Sequence, residues 1–433
     1  LKKKIYLSLL SLVIVASLSA CAGTSTLEAG SDSSKNTTST TTTASDTSTT
    51  SSSGTVEYNV LEIKDDWTTK ASITFSEGDM SIDGSGCSNE DGVLYITEGG
   101  TYTLSGSSQK ASILINTDES VKLILNGVEL TSEKGPVIYA SQVKNLYIEM
   151  AEGTTNTLTD SDTYETDSST GEEIGKGVIS SEDDLIILGD GTLNINGNHK
   201  HGISCDDELY IESGTINITS NGTDGINAND LVCVDGGTIT INAVSDGIEV
   251  EKLLVINAGT LCVTSQNEGI ESKDSICIND GDITIESSDD GINAGYYIEI
   301  NGGKVNVTSQ NNDGIDCNGG YDGCITINDG EINVTGADSP ECGLDADESS
   351  IIINGGKVTA TGGSNSNIIE NGGENNITST GAEGDFQGGM GKGGPRGNSD
   401  FNPDNLPEDF DPENMPQGQK PQGEPPQKND LQN

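Results

Sequence analysis

The chain has 433 residues and carries 70 acidic against 20 basic side chains, a formal charge of −50. So large an acidic excess excludes nucleic acid as a partner, because a phosphate-binding surface needs clustered Lys and Arg. The sole arginine is Arg396, close to the C-terminal end, so an acidic ligand would have to be held by Lys, by backbone N–H groups or through a cation.

Residues 1–21, LKKKIYLSLLSLVIVASLSAC, read as a secretory signal. Lys2, Lys3 and Lys4 precede an apolar run to Ala16, and small residues follow. Leu18-Ser19-Ala20-Cys21 resembles a bacterial lipobox, in which Cys21 would be lipidated and would hold the protein on the outer face of the cell membrane. The alternative is an ordinary secreted protein cleaved near a cysteine. Residues 22–55 are rich in Ser and Thr and too poor in apolar groups to fold, which makes them a flexible tether. Residues 364–433 turn to Gly, Pro and Gln and read as a disordered tail. The folded body is expected over residues 56–363.

Within that body one word recurs: TDGINAN, SDGIEVE, NEGIESK, DDGINAG and NDGIDCN. Its glycines, Gly225, Gly247, Gly269 and Gly291, are 22 residues apart, the period of a solenoid. Each period holds three short alternating segments rich in Ile and Val, separated by turn residues. Three strands in about 22 residues predict an all-β fold, a right-handed parallel β-helix. Residues 56–150 read as less regular leading coils, and 160–174 as an acidic loop inserted in one coil.

Alternation assigns inward columns: Ile226, Ile248, Ile270 and Ile292 on the first strand; Val234, Ile256, Ile278 and Ile300 on the second; Ile241, Val263, Ile285 and Val307 on the third. Asn257, Asn279, Asn301, Asn328 and Asn354 recur at one turn and predict a hydrogen-bonded ladder. Outward on the second strand come Tyr210, Cys233, Val255, Cys277 and Glu299, a partly apolar face. On the first strand the same alternation places the repeated glycines outward as bare backbone. Beside them run two rows of acids and amides: Asp224, Asp246, Glu268, Asp290 and Asp313 at the corner, and Asn227, Glu249, Glu271, Asn293 and Asp316 one step along.

Parallel coils stack about 4.8 Å apart, so carboxylates in one column repel unless neutralised. Ca2+ binds oxygens at about 2.3–2.6 Å, so one ion between two rungs matches that spacing better than Mg2+ does. The other reading is that the acids solvate a face and cap turns. The cysteines show no zinc spacing. Cys317 and Cys324 flank the NGGYDG loop and either bridge across it or stay as free thiols.

The words LILNGVELTS, LYIEMAEGTTNTLTD and INGGKVNVT, with the repeated DGIN, resemble a bacterial family of parallel β-helix carbohydrate-binding proteins known from cellulolytic clostridia. The resemblance covers roughly residues 70–363. It implies a polysaccharide-lyase-like fold, calcium ions in the helix, and binding of cellulose or of acidic plant cell-wall polysaccharide such as polygalacturonate. Where the words match, it implies Asp224, Asn227, Asp246, Glu249, Asp290, Asn293, Asp313 and Asp316 as calcium ligands. Glu268 with Glu271, and Cys342 before Gly343, depart from the pattern.

The expectation is a non-catalytic, membrane-anchored, monomeric polysaccharide binder, with Tyr210, Tyr296, Tyr297 and Tyr321 either stacking on sugars or packing. One rival is a calcium-dependent polysaccharide lyase, whose base would be Lys252 or Lys273. The other is an adhesin or envelope spacer with no sugar ligand.

Overall fold

The computed structural model describes residue 64 and residues 66–380, apart from 78, 348 and 364–366. All fall in the second of the chain's two compact units, Leu61–Asn433. The signal, Cys21, the Ser/Thr tether and the tail beyond 380 lie outside the described residues.

Every element among the described residues is a β-strand. One coil runs Ile226–Ala228, Leu231–Val234, Thr238–Ala243, and the next repeats it as Ile248–Val250, Leu253–Ile256, Thr260–Ser265. Each strand pairs in parallel with its counterpart one coil on: Ile226 with Ile248, Val234 with Ile256, Ile241 with Val263. The fold is a parallel β-helix, and its first face alone is a sheet of 12 strands.

The stacked positions are β-branched or aliphatic, so each coil buries its apolar row against identical rows above and below. Ile226, Ile248, Ile270 and Ile292 are each 0 % exposed. The second- and third-strand columns are buried as well, which gives one core along the helix. The asparagine ladder forms at the turn after the second strand. Asn279 donates to Asn257 at 2.7 Å, Asn301 to Asn279 at 2.9 Å, Asn328 to Asn301 at 2.7 Å and Asn354 to Asn328 at 2.8 Å. It starts one rung earlier than the asparagines do, where Asn257 donates to Asp235, and ends one later, at Asn371.

The ends differ from the sequence reading. At the start, Thr69–Ser76 pairs antiparallel with Asp79–Gly84, and Cys87–Glu90 with Val93–Ile96, so two hairpins lead into the less regular parallel coils, whose register shifts between Leu104 and Gly106 and between Ile115 and Asn116. The strand Val121–Thr131 bends through Gly127, at φ 75, and pairs with Leu146–Met150 on one face and Thr157–Thr159 on the next. At the other end, Asn367–Glu370 and Glu374–Ser379 pair in parallel with Ser350–Ile353 and Lys357–Gly362. The helix therefore continues past residue 363, because these strands need only a backbone ladder to extend the stack.

The repeated glycines are not an outward bare row. A Cβ built on Gly225 would strike Ile241, and one on Gly247 would strike Val263, both core residues of the third strand. The strands begin only at Ile226 and Ile248, so alternation does not hold at the preceding corner. Glycine is needed there because the chain turns hard against the core.

Candidate functional site

The corner acids precede those glycines, and the turn that crowds the glycine also tucks the acid in. Asp224, Asp246, Asp290 and Asp313 are between 3 % and 7 % exposed. Each carboxylate accepts a backbone N–H from the same corner one coil on. Asp246 N–H donates to Asp224 at 3.2 Å, Glu268 N–H to Asp246 at 3.1 Å, Asp313 N–H to Asp290 at 2.9 Å, and Cys342 N–H to Asp313. These acids do not solvate a face; they tie coil to coil.

Asp246 also accepts the Asn267 amide at 2.8 Å, yet these few donors leave charge to be met among so many acids. Burial, the neighbouring Glu268 and the Asp224 charge push Asp246 up to about 7. Burial, with the Asp316 charge beside it, pushes Asp290 up to about 8. Asp313 rises to about 6 and Asp316 to about 7, again mainly by burial among like charges. Asp224 is the exception. Burial would raise it, but the hydrogen bond and charge of His201 outweigh that and hold it below the usual carboxylate range.

Among the described residues three groups bring acidic or thiol ligand atoms within 4.8 Å of one another: Asp224, Asp246 and Glu249; Asp246, Glu268 and Glu271; Asp313, Cys342 and Asp345. The first unites three of the residues that the sequence motif singles out. Asn227, the fourth, donates to Glu249 at 3.1 Å. The second group is built from Glu268 and Glu271, whose longer side chains had seemed a departure from the pattern. One oxygen of Glu268 is buried with no hydrogen-bond partner among the described residues. Among the described residues Asp290 and Asp316 join no such group of three, although the Asp316 charge acts on Asp290.

The donor sets test what cation would suit them. The first two groups offer only carboxylate oxygens and straddle successive rungs, which suits a hard ion of Ca2+ size. The third contains the Cys342 thiol, a soft ligand that calcium does not favour. Lys273 competes at the middle rungs, lying 3.2 Å from Glu249 and 2.5 Å from Glu271. Sequence reasoning missed His201, which lies 3.0 Å from Asp224. The 23-residue step from His201 to Asp224 places it in the corner column, and that spacing was the available signal.

Both lysines that a lyase could use as a base are ion-paired. Lys252 reaches Asp230 at 2.6 Å, and that hydrogen bond raises its pKa. Lys273 is held protonated more strongly, because the hydrogen bonds and charges of Glu271 and Glu249 override its partial burial.

The tyrosines divide. Tyr210 and Tyr297 are 2 % and 7 % exposed, so neither ring can stack on a glycan; they belong to the outward side of the second face, which is buried through Cys233, Val255 and Cys277 as well. Tyr296 is 55 % exposed and its ring meets that of Tyr321, centroids 5.1 Å apart. Cys317 and Cys324 are neighbours with free thiols.

Comparison with known proteins gives this arrangement a context. A carbohydrate-binding domain-containing protein of Acetivibrio thermocellus is 33% identical over 136 residues, 31% of this chain and 47% of that relative, so the match spans about half the relative's length. The solved structure of the polysaccharide lyase-like protein from C. thermocellum, a gadolinium derivative, is 30% identical; the match covers 55% of this chain and 94% of that one, with a TM-score of 0.49. A family profile described as carbohydrate-binding domain-containing protein matches residues 90–254 and 251–393, well over half of the chain. The protein belongs to the family of carbohydrate-binding domain-containing proteins.

Proposed function

We propose that the protein is a non-catalytic polysaccharide binder whose first face holds an acidic glycan, such as polygalacturonate, through calcium. The observation that carries this reading is the pair of all-carboxylate groups, Asp224–Asp246–Glu249 and Asp246–Glu268–Glu271, set on successive rungs of one face. Buried carboxylates this close favour taking up either protons or a cation. Bound there, Ca2+ would supply positive charge between protein and uronate carboxylates. Asp224, Asp246, Glu249, Glu268 and Glu271 would hold it, and the half-buried amide of Asn227 would orient Glu249.

The same geometry weighs against the lyase alternative. A lysine base must first lose its proton, and the acids around Lys252 and Lys273 make that harder. Secretion and lipidation at Cys21 would place the binder on the outer face of the membrane, at the end of its Ser/Thr tether.

The test mixes the purified protein with polygalacturonate in calcium or in chelator, and follows both co-sedimentation and unsaturated product by ultraviolet absorbance. Calcium-dependent retention without product is expected, and Asp246→Ala with Glu249→Ala should lower both retention and bound calcium. Release of unsaturated product would make the protein a lyase. Retention unchanged by chelator would remove calcium from the reading.

A further inference from the structure

Among the described residues the last rung of the helix is paired on one side only. Asn367–Glu370 bonds to Ser350–Ile353, and Glu374–Ser379 to Lys357–Gly362. Register carries the core columns into this rung. Ile353 pairs with Glu370 and Val358 with Asn375, so a carboxylate and an amide stand where earlier rungs place aliphatic side chains. Ile351 pairs with Ile368 and Ala360 with Ile377, and both isoleucines pack on the core while only partly buried. Ile369 is 43 % exposed. Asn375 donates to Glu370 at 3.0 Å, yet its own Oδ1 is buried with no partner among the described residues. The rung has apolar surface to cover, an acceptor to satisfy and a strand edge to protect.

Several observations say what covers it. The last described residue, Thr380, is held on this rung by its N–H to the Gly362 carbonyl at 2.6 Å and its hydroxyl to Asp338 at 2.8 Å. In an earlier coil the chain leaving the third strand enters the acidic corner. Thr308 shares a column with Thr335, Thr361 and Thr378, and Asp313 and Gly314 follow it by five and six residues. Glu383 and Gly384 follow Thr378 by the same five and six. The family profile also runs on to residue 393, past the last described strand. The first proline after Thr380 is Pro395, so every N–H before it is available to a ladder. Phe386 and Met390 lie in this stretch, and Lys392 is the first cation after Lys357, beyond the exposed Glu370 and Glu374.

We propose that residues 383–392 close the C-terminal end of the helix, with Glu383–Gly384 forming one more acid–glycine corner and Phe386 covering Ile368 and Ile377. Backbone N–H groups of this glycine-rich stretch would satisfy the Asn375 oxygen and the open edge. A segment of the same chain is always at hand, and once seated it keeps the edge from pairing with another molecule. A second copy is the poorer occupant, because two such ends would set Glu370 and Glu374 against their own kind. The inference concerns the end of the stack and does not depend on glycan or calcium binding.

The experiment follows amide hydrogen exchange of the full chain by mass spectrometry at two protein concentrations. Amides of 383–392 should be protected. Phe386→Ser should speed exchange there and in Asn367–Glu370 and Glu374–Ser379 by about tenfold, with Ile248–Val250 unchanged as the sign that the helix stays folded. Phe410→Ser, farther along the tail, should change none of these. Exchange of 383–392 at the rate of an unstructured peptide, or end strands that respond equally to Phe386→Ser and Phe410→Ser or to neither, would overturn the proposal. Protection that grows with protein concentration would assign the end to a second copy and overturn it as well.

Discussion

His201 Nδ1 lies 3.0 Å from Asp224 Oδ2, and His201 occupies the corner position that Asp224, Asp246 and Glu268 occupy on the following rungs. The acidic column thus begins at an imidazole. Asp224 keeps a depressed pKa through this contact while its neighbours are pushed up.

Removing the imidazole should therefore raise Asp224 toward its neighbours. A depressed carboxylate contributes stability that is present above its unfolded value, about 4, and is lost as pH falls through its folded value. His201→Ala should remove that contribution and cost about 1–3 kcal/mol near neutral pH, the range for stranding a buried polar group. Carboxyl-carbon NMR titration of Asp224 with denaturant unfolding checks both; an unmoved Asp224 titration would show that the pair is not coupled.

Asp246, Asp290, Asp313 and Asp316 carry the opposite sign. Their folded values, about 7, 8, 6 and 7, exceed the unfolded value of about 4, so the folded protein binds more protons across that window. In chelator, stability should fall as pH rises from about 4 to about 8. Calcium should restore it, more at pH 8 than at pH 5, since protons compete with the ion. Thermal unfolding at both pH values with and without calcium is the measurement, and a chelated protein more stable at pH 8 than at pH 5 would refute the assignment.

Lys273 holds Glu249 and Glu271 together without a metal. Lys273→Met should make the chelated protein less stable and strengthen calcium binding at this rung, because the ion no longer competes with an ammonium. Calorimetric titration with calcium at pH 7 would detect the gain, and weaker binding would assign Lys273 a supporting role instead.

Gly247→Ala should destabilise the helix by at least about 1–3 kcal/mol through overpacking, since the new methyl meets Val263 and the Gly269 carbonyl. Denaturant unfolding measures it. A neutral result would mean that the corner can relax outward, and the buried acid beside it would then become more exposed.

The sequence by itself determined the period, the three strands, the inward columns and the asparagine ladder. Each coil gives a residue the same surroundings as its counterpart 22 positions away, so repetition in the chain is repetition in space. It also placed Asp224, Asp246 and Glu249 on neighbouring rungs. Only the tertiary structure decided what lies at the corners and outside the strands. There alternation stops, so the repeated glycines turn out to be pressed on Ile241 and Val263, and the acids before them are buried rather than solvated. Likewise Tyr210 and Tyr297 differ from Tyr296 by burial alone, and only the stacking of coils sets Tyr321, in the loop 318–323, against Tyr296. Side-chain burial depends on what packs across the chain, and no period in the sequence encodes that.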